Sequence, residues 1–292
     1  MRIHLYSLLA VVLVAGCTNE NATKKTSDIK VSDTTKSITE DSQQPELQPP
    51  VDNSLMLKEY IEAGVPAGDR SWTGNDMAKA AEILAGIAQQ DRSKLPRYQS
   101  QNSGEMFKRL TADDNLDSYR NQTLPLQQRL PDGINYMQSS NQILKLYLTA
   151  FKQQEVGDSE LVELIGAQLR VSAVMMTLVN EFLPSLNKDN PDYPARMEGL
   201  KRMKNGLATI VAGSLQTLTE SQTYRPSELK RLIGYMQLTF PTLLPEVPES
   251  SRDEFITRLQ SFSADPQMQN LNPELDKLLA TVKASIQSNQ NP

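Results

Sequence analysis

Apolar residues recur at spacings of three and four along nearly the whole stretch from residue 54 to 290. Met77, Ala80, Ala81, Leu84, Ile87 and Ala88 share one helix face, and Asn75 can cap that helix. Asp132 precedes a second set: Ile134, Met137, Leu144, Tyr147, Leu148 and Phe151. From Asp158 or Ser159 to Leu186 the apolar positions cover most of the helix circumference, which predicts a central helix. The hexapeptide "NKDNPD", Asn187 to Asp192, reads as a turn. A further stripe follows at Tyr193, Met197, Leu200, Met203, Leu207, Ile210, Val211, Leu215 and Leu218, and another at Leu229, Leu232, Ile233, Met236 and Phe240. Ser251-x-x-Glu254 has the form of a capping box before Phe255, Ile256, Leu259 and Phe262. Asn272-Pro273 opens a last helix with Leu275, Leu278, Leu279, Val282 and Ile286. No run alternates with period two, so the pattern predicts an all-α multi-helix bundle with little or no sheet. The length accommodates one domain over 54–290, or a smaller subdomain at 54–130 before a bundle at 131–290.

Two details of the stripes invite a functional reading. Gly199, Gly206 and Gly213 recur every seven residues on one helix, close to a single face. Either they open a docking groove for a partner helix, or they allow tight packing inside the bundle, which is the default. Met175, Met176, Met197, Met203 and Met236 fall on the stripes. Thioethers suit adaptable binding surfaces, but they fill gaps in cores more often.

The first 53 residues break the pattern. Behind Arg2, Leu5–Ala15 is an apolar run of 11 residues, too short to cross a bilayer and of signal-peptide length. It ends in Ala15-Gly16 and is followed at once by Cys17, the single cysteine. "Val14-Ala15-Gly16-Cys17" resembles the lipobox of bacterial lipoproteins, with Val14 in the place usually held by Leu. The resemblance covers residues 1–17. It implies cleavage after residue 16, acylation of Cys17 and anchorage to a membrane through that lipid. Thr18, which is not Asp, matches the outer-membrane sorting pattern of a Gram-negative source, so the chain is expected in the periplasm. Residues 17–53 then form a polar, proline-closed tether that lacks the apolar surface to fold. As a coil it would span roughly 30–35 Å and, stretched, on the order of 110 Å.

Charge and residue usage narrow the chemistry. The chain has 30 basic and 35 acidic side chains, a formal net of −5, and loss of Arg2 makes it one unit more negative. A mildly acidic chain without basic clusters speaks against nucleic-acid binding. After the signal, no segment reaches the run of apolar residues a span requires. The only histidine, His4, would leave with the signal peptide, and Cys17 would be acylated. That removes Ser-His-Asp and Cys-His catalysis and the usual Cys/His zinc sites. With no Walker-type or GxGxxG loop, no metal and no cofactor is expected.

Two carboxylate or serine routes remain. The stretch Thr219–Thr242 loosely resembles the lytic transglycosylases, all-helical enzymes that cleave peptidoglycan. Glu220-Ser221, Gly234-Tyr235-Met236-Gln237 and Pro241-Thr242 stand in the order of that family's motifs. The resemblance implies Glu220 as general acid and base. Here Tyr235 replaces the family's Leu, and the later Ala-Tyr-Asn-Gly signature is missing. Ser227-x-x-Lys230 matches the serine pattern of penicillin-recognising enzymes, but their Lys-Thr-Gly partner has no counterpart in the domain. The sequence therefore favours a non-catalytic helical domain that docks an envelope protein partner. Glycan cleavage through Glu220 and carriage of an apolar ligand are the alternatives.

Overall fold

The computed structural model describes residues 52–64, 71–122, 124–150, 158–219 and 224–288. The signal, Cys17, nearly all of the tether, and Glu220 with Ser221 lie outside these residues. Nine helices of seven residues or more and no strand are found among the described residues. They are α1 (Asn53–Glu59), α2 (Gly74–Gln90), α3 (Gly104–Leu110), α4 (Leu126–Ala150), α5 (Asp158–Phe182), α6 (Tyr193–Thr219), α7 (Pro226–Leu243), α8 (Glu249–Ser263) and α9 (Asn272–Ser288). The expected all-α bundle is what the chain forms.

Helices pack in a chain of neighbours: α1 on α2, α2 on α4, α4 on α5, α5 on α7, and α7 on α9. α8 bridges α9 and α6. One buried cluster runs from Leu57 in α1 to Val282 in α9, so both ends of the described domain share a core. α5 lies at its middle, with Val162, Leu169, Met175, Met176 and Leu178 all at 2 % exposure or less. By length and composition Ser159–Ser185 could cross a membrane, but 78 % of its apolar window is buried by the other helices. Burying each such Leu or Met contributes about 1.5–3 kcal/mol over leaving it in water.

Several helix starts differ from expectation. α2 is capped by Thr73, not Asn75. The Thr73 hydroxyl accepts from Asp76 N at 3.1 Å, and the Asp76 carboxylate accepts from Thr73 N at 2.8 Å. That reciprocal pair satisfies two otherwise orphaned N–H groups. α4 starts at Leu126, six residues before the expected Asp132, and runs through Pro131. The added first turn carries Arg129, which is buried and donates to the carbonyls of Leu124 (2.8 Å) and Tyr119 (3.1 Å) and to Glu181 (2.8 Å). Asp132 caps a different helix: its carboxylate accepts from Gly74 N at 3.0 Å and from the Tyr119 hydroxyl at 2.7 Å. α8 begins at Glu249 behind Pro248, so Ser251 and Glu254 lie inside it and form no capping box. Glu254 pairs instead with Arg258 one turn on.

α6 is the exception to uniform packing. Its buried residues are Leu207, Val211, Gly213, Ser214, Leu215, Thr217 and Leu218, all in its second half. The first half carries the same stripe, yet Leu200 and Met203 are only half-buried.

Candidate functional site

The turn Asn187–Asp192 decides where α6 leaves α5. Asn187 and Asn190 side-chain oxygens each accept from the backbone N–H two residues on, at 2.9 Å, and Tyr193 N donates to Asn190 O. Pro184, in the helical turn Leu183–Ser185 after α5, has already ended the preceding helix. α6 then converges on the bundle only from Leu207 onward. A groove of about 500 Å³ is left between α4, the C-terminal half of α5 and the first half of α6. Small-molecule sites span about 300–1,000 Å³.

Its walls are apolar: Ile134 and Met137 from α4, Val179 and Phe182 from α5, Leu200 and Met203 from α6. Gly199 and Gly206 also line it, and a Cβ built on either meets nothing within 4 Å. The default expectation of tight packing at these two glycines is thus corrected. Among the described residues nothing packs against them within 4 Å; of the three glycines only Gly213 is buried. The methionines divide the same way. Met175, Met176 and Met236 are fully core, whereas Met203 packs at the core's edge and lines the groove.

The charged groups of the groove are of one sign. Lys145 on α4 and Arg196 and Arg202 on α6 line it, and no Asp or Glu does among the described residues. None of the three forms an ion pair with a described carboxylate. Asn141, on the α4 wall, has its side-chain oxygen buried without a hydrogen-bond partner. Asn115 and Asn272 have side-chain oxygens in the same state elsewhere in the fold; Asn141 is the one of the three that lines the groove.

The other half of α5 holds a different cluster, which the sequence reading missed. Glu160 accepts from Arg97 Nε at 3.0 Å and from Tyr98 N at 2.9 Å. Glu163 accepts from the Tyr235 hydroxyl at 2.7 Å and pairs with Arg231 at 2.9 Å. Arg170 donates to Thr111 O at 2.6 Å, lies 3.3 Å from Asp113, and stacks 4.6 Å over the Tyr235 ring. Glu228, at the start of α7, accepts from Ser159 Oγ at 2.5 Å, from Arg225 N at 3.3 Å and from the Arg225 guanidinium. Burial pushes the Glu228 carboxyl up, but the Ser159 and Arg225 hydrogen bonds outweigh it and hold it below its ordinary value. Tyr235 is pushed up to about 12, first by burial and then by its bond to Glu163. A signal existed in the sequence. Charges inside a helix that is apolar on nearly every side must be buried, and buried charges must be paired.

This cluster occupies the positions that resemble the transglycosylase motif. Tyr235 belongs to the ionic network, Met236 is fully buried, and Gln237 Nε2 donates to Glu274 O at 2.8 Å. The described side chains of Gly234–Gln237 are thus engaged within the fold. Among the described residues no group of three or more acidic side chains converges in a way that could hold a metal ion. Comparison with known protein families, curated proteins and solved structures returns no match for this chain.

Proposed function

We propose that the chain is an envelope lipoprotein, held at the outer membrane and facing the periplasm by acylated Cys17. Its helical domain is a non-catalytic binding module whose working surface is the α4–α5–α6 groove. One observation carries the reading: Gly199 and Gly206 line an apolar groove with open space above them. Glycine costs a helix about 1 kcal/mol relative to alanine, and here no packed neighbour offsets it. Half-buried Leu200 and Met203 add apolar surface that the fold itself leaves uncovered.

Uptake of a neutral apolar fluorophore, N-phenylnaphthylamine, tests the groove. The wild-type surface should bind it, and Gly199→Phe with Gly206→Phe should abolish binding while the helical circular dichroism is retained. Undiminished uptake by that variant would place the binding surface elsewhere. Glycan cleavage is the second reading, carried by the order of Glu220-Ser221, Gly234–Gln237 and Pro241-Thr242 along the chain. Release of anhydro-muropeptides from purified sacculi by wild type, and not by Glu220→Gln, would replace the binding reading by an enzymatic one. The anchor is read by acyl labelling: Cys17→Ser should incorporate no palmitate.

A further inference from the structure

We propose that the groove takes an amphipathic anion with one long hydrocarbon tail, the chemistry shared by fatty-acid carboxylates and phosphate-headed single-chain lipids. The inference rests on the groove being a binding site. Charge complementarity selects the head group. Lys145 on one wall and Arg196 and Arg202 on the other are the groove's only ionic side chains among the described residues, in a chain of net charge −5. Several cations elsewhere are matched within the fold, Arg97, Arg129 and Arg231 among them, each with a carboxylate within 3.0 Å. The groove cations have no such partner among the described residues, and an incoming anion would supply one. Asn141 adds a buried amide that can meet a head-group hydroxyl or, by rotation, a head-group oxygen.

Shape selects the tail. The groove follows α6 from Arg196 to Ile210 and α4 from Ile134 to Lys145. At 1.5 Å per residue these stretches run about 16–21 Å. Ile134, Met137, Val179, Phe182, Leu200 and Met203 are spread along that length and give an extended tail apolar contact from end to end.

The test is displacement of N-phenylnaphthylamine from the full chain carrying Cys17→Ser, which removes the protein's own acyl groups. Palmitate and hexadecyl phosphate should displace the probe at concentrations about tenfold lower than hexadecanol or hexadecyltrimethylammonium. Arg196→Gln with Arg202→Gln should weaken both anions about tenfold and leave hexadecanol unchanged; the paired Lys substitutions should restore anion binding. Native mass spectrometry should show one anion per chain. A preference for palmitate or for hexadecyl phosphate would say whether free acids or phospholipid derivatives are the source. Equal displacement by hexadecanol and palmitate, or indifference to the Gln variants, would overturn the anion assignment and leave the groove standing. Failure of the probe to bind at all would remove the groove reading and this one with it.

Discussion

The two halves of α5 lie in surroundings that treat charge differently. In the first, Glu160, Glu163 and Arg170 are all at 6 % exposure or less, and each meets an ion-pair or hydrogen-bond partner from another element. In the second, Glu181 pairs with buried Arg129, but Val179 and Phe182 face an open groove whose cations, on α4 and α6, have no ion-pair partner among the described residues. The difference separates two uses of a charged side chain. A buried charge is tolerated only when satisfied, and its partners lock one arrangement of helices. A half-solvated charge beside apolar surface can wait unpaired, because water covers it until a ligand does. Clusters of carboxylates attract functional readings. Here the paired ones tie α5 to α7, and the proposed binding surface lies instead beside cations that have no ion-pair partner among the described residues.

The sharpest way to break this contrast is to unpair a buried charge. Arg231→Met leaves Glu163 nearly buried with only the Tyr235 hydroxyl as partner, and the cost should be about 3–5 kcal/mol in denaturant unfolding. Arg202→Gln, on the groove, should change stability by less than about 0.5 kcal/mol. Similar losses from the two would mean that the groove arginine also has a structural partner.

A smaller effect separates the halves by space instead of charge. Gly166, in the first half of α5, faces the Tyr235 ring, and a Cβ there would lie 2.2 Å from Tyr235 Cδ2. Gly166→Ala should therefore cost about 1–3 kcal/mol by overpacking. Because Tyr235 also bonds Glu163 and stacks under Arg170, it cannot move without loosening the network. An unfolding midpoint unchanged from wild type would show that the ring shifts freely.

Acid should reach the charged half first. The Glu228 carboxyl sits below its ordinary value of 4.5 in the folded chain. A depressed carboxyl stabilises the fold above that ordinary value, and the contribution is lost as pH falls through the lower, folded value. Glu228→Gln should thus be less stable than wild type at neutral pH by about 1.5 kcal/mol, the worth of hydrogen bonds to an ionised group. The gap should close as pH drops below 4.5. A gap that stays constant with pH would mean that ionisation of Glu228 contributes nothing.

The sequence made the helices legible and left their surroundings out of view. Periodicity located every long helix because the apolar stripes are a local property of the chain. It erred at helix starts where several capping residues lie together, as with Thr73, Asn75 and Asp76, or where a proline hides an earlier turn, as at Pro131. The groove was beyond periodicity altogether. Leu200 and Met203 keep the same spacing as Leu207, Val211, Leu215 and Leu218, yet only the later ones are buried. A stripe tells which face of a helix is apolar, not whether another element covers it. Gly199 and Gly206 were singled out by the sequence, and three-dimensional context reversed their default meaning, whereas Met203 packs against the core and also lines the groove.

Those two glycines give the smallest effect and the most discriminating one. The change that damages Gly166 should benefit them, since a Cβ at Gly199 or Gly206 meets nothing and alanine is the better helix former. Each Gly→Ala substitution should stabilise the domain by up to about 1 kcal/mol, for a gain in melting temperature of a few degrees. Alanine methyls would also narrow the groove along α6, so tail binding should weaken as stability rises. Opposite movement of the two quantities is expected where a site is kept open at the expense of the fold. Stabilisation with unaltered binding would show that the glycines lie beside the ligand's path. Destabilisation would mean that α6 packs more closely at its first half than the open space around Gly199 and Gly206 allows.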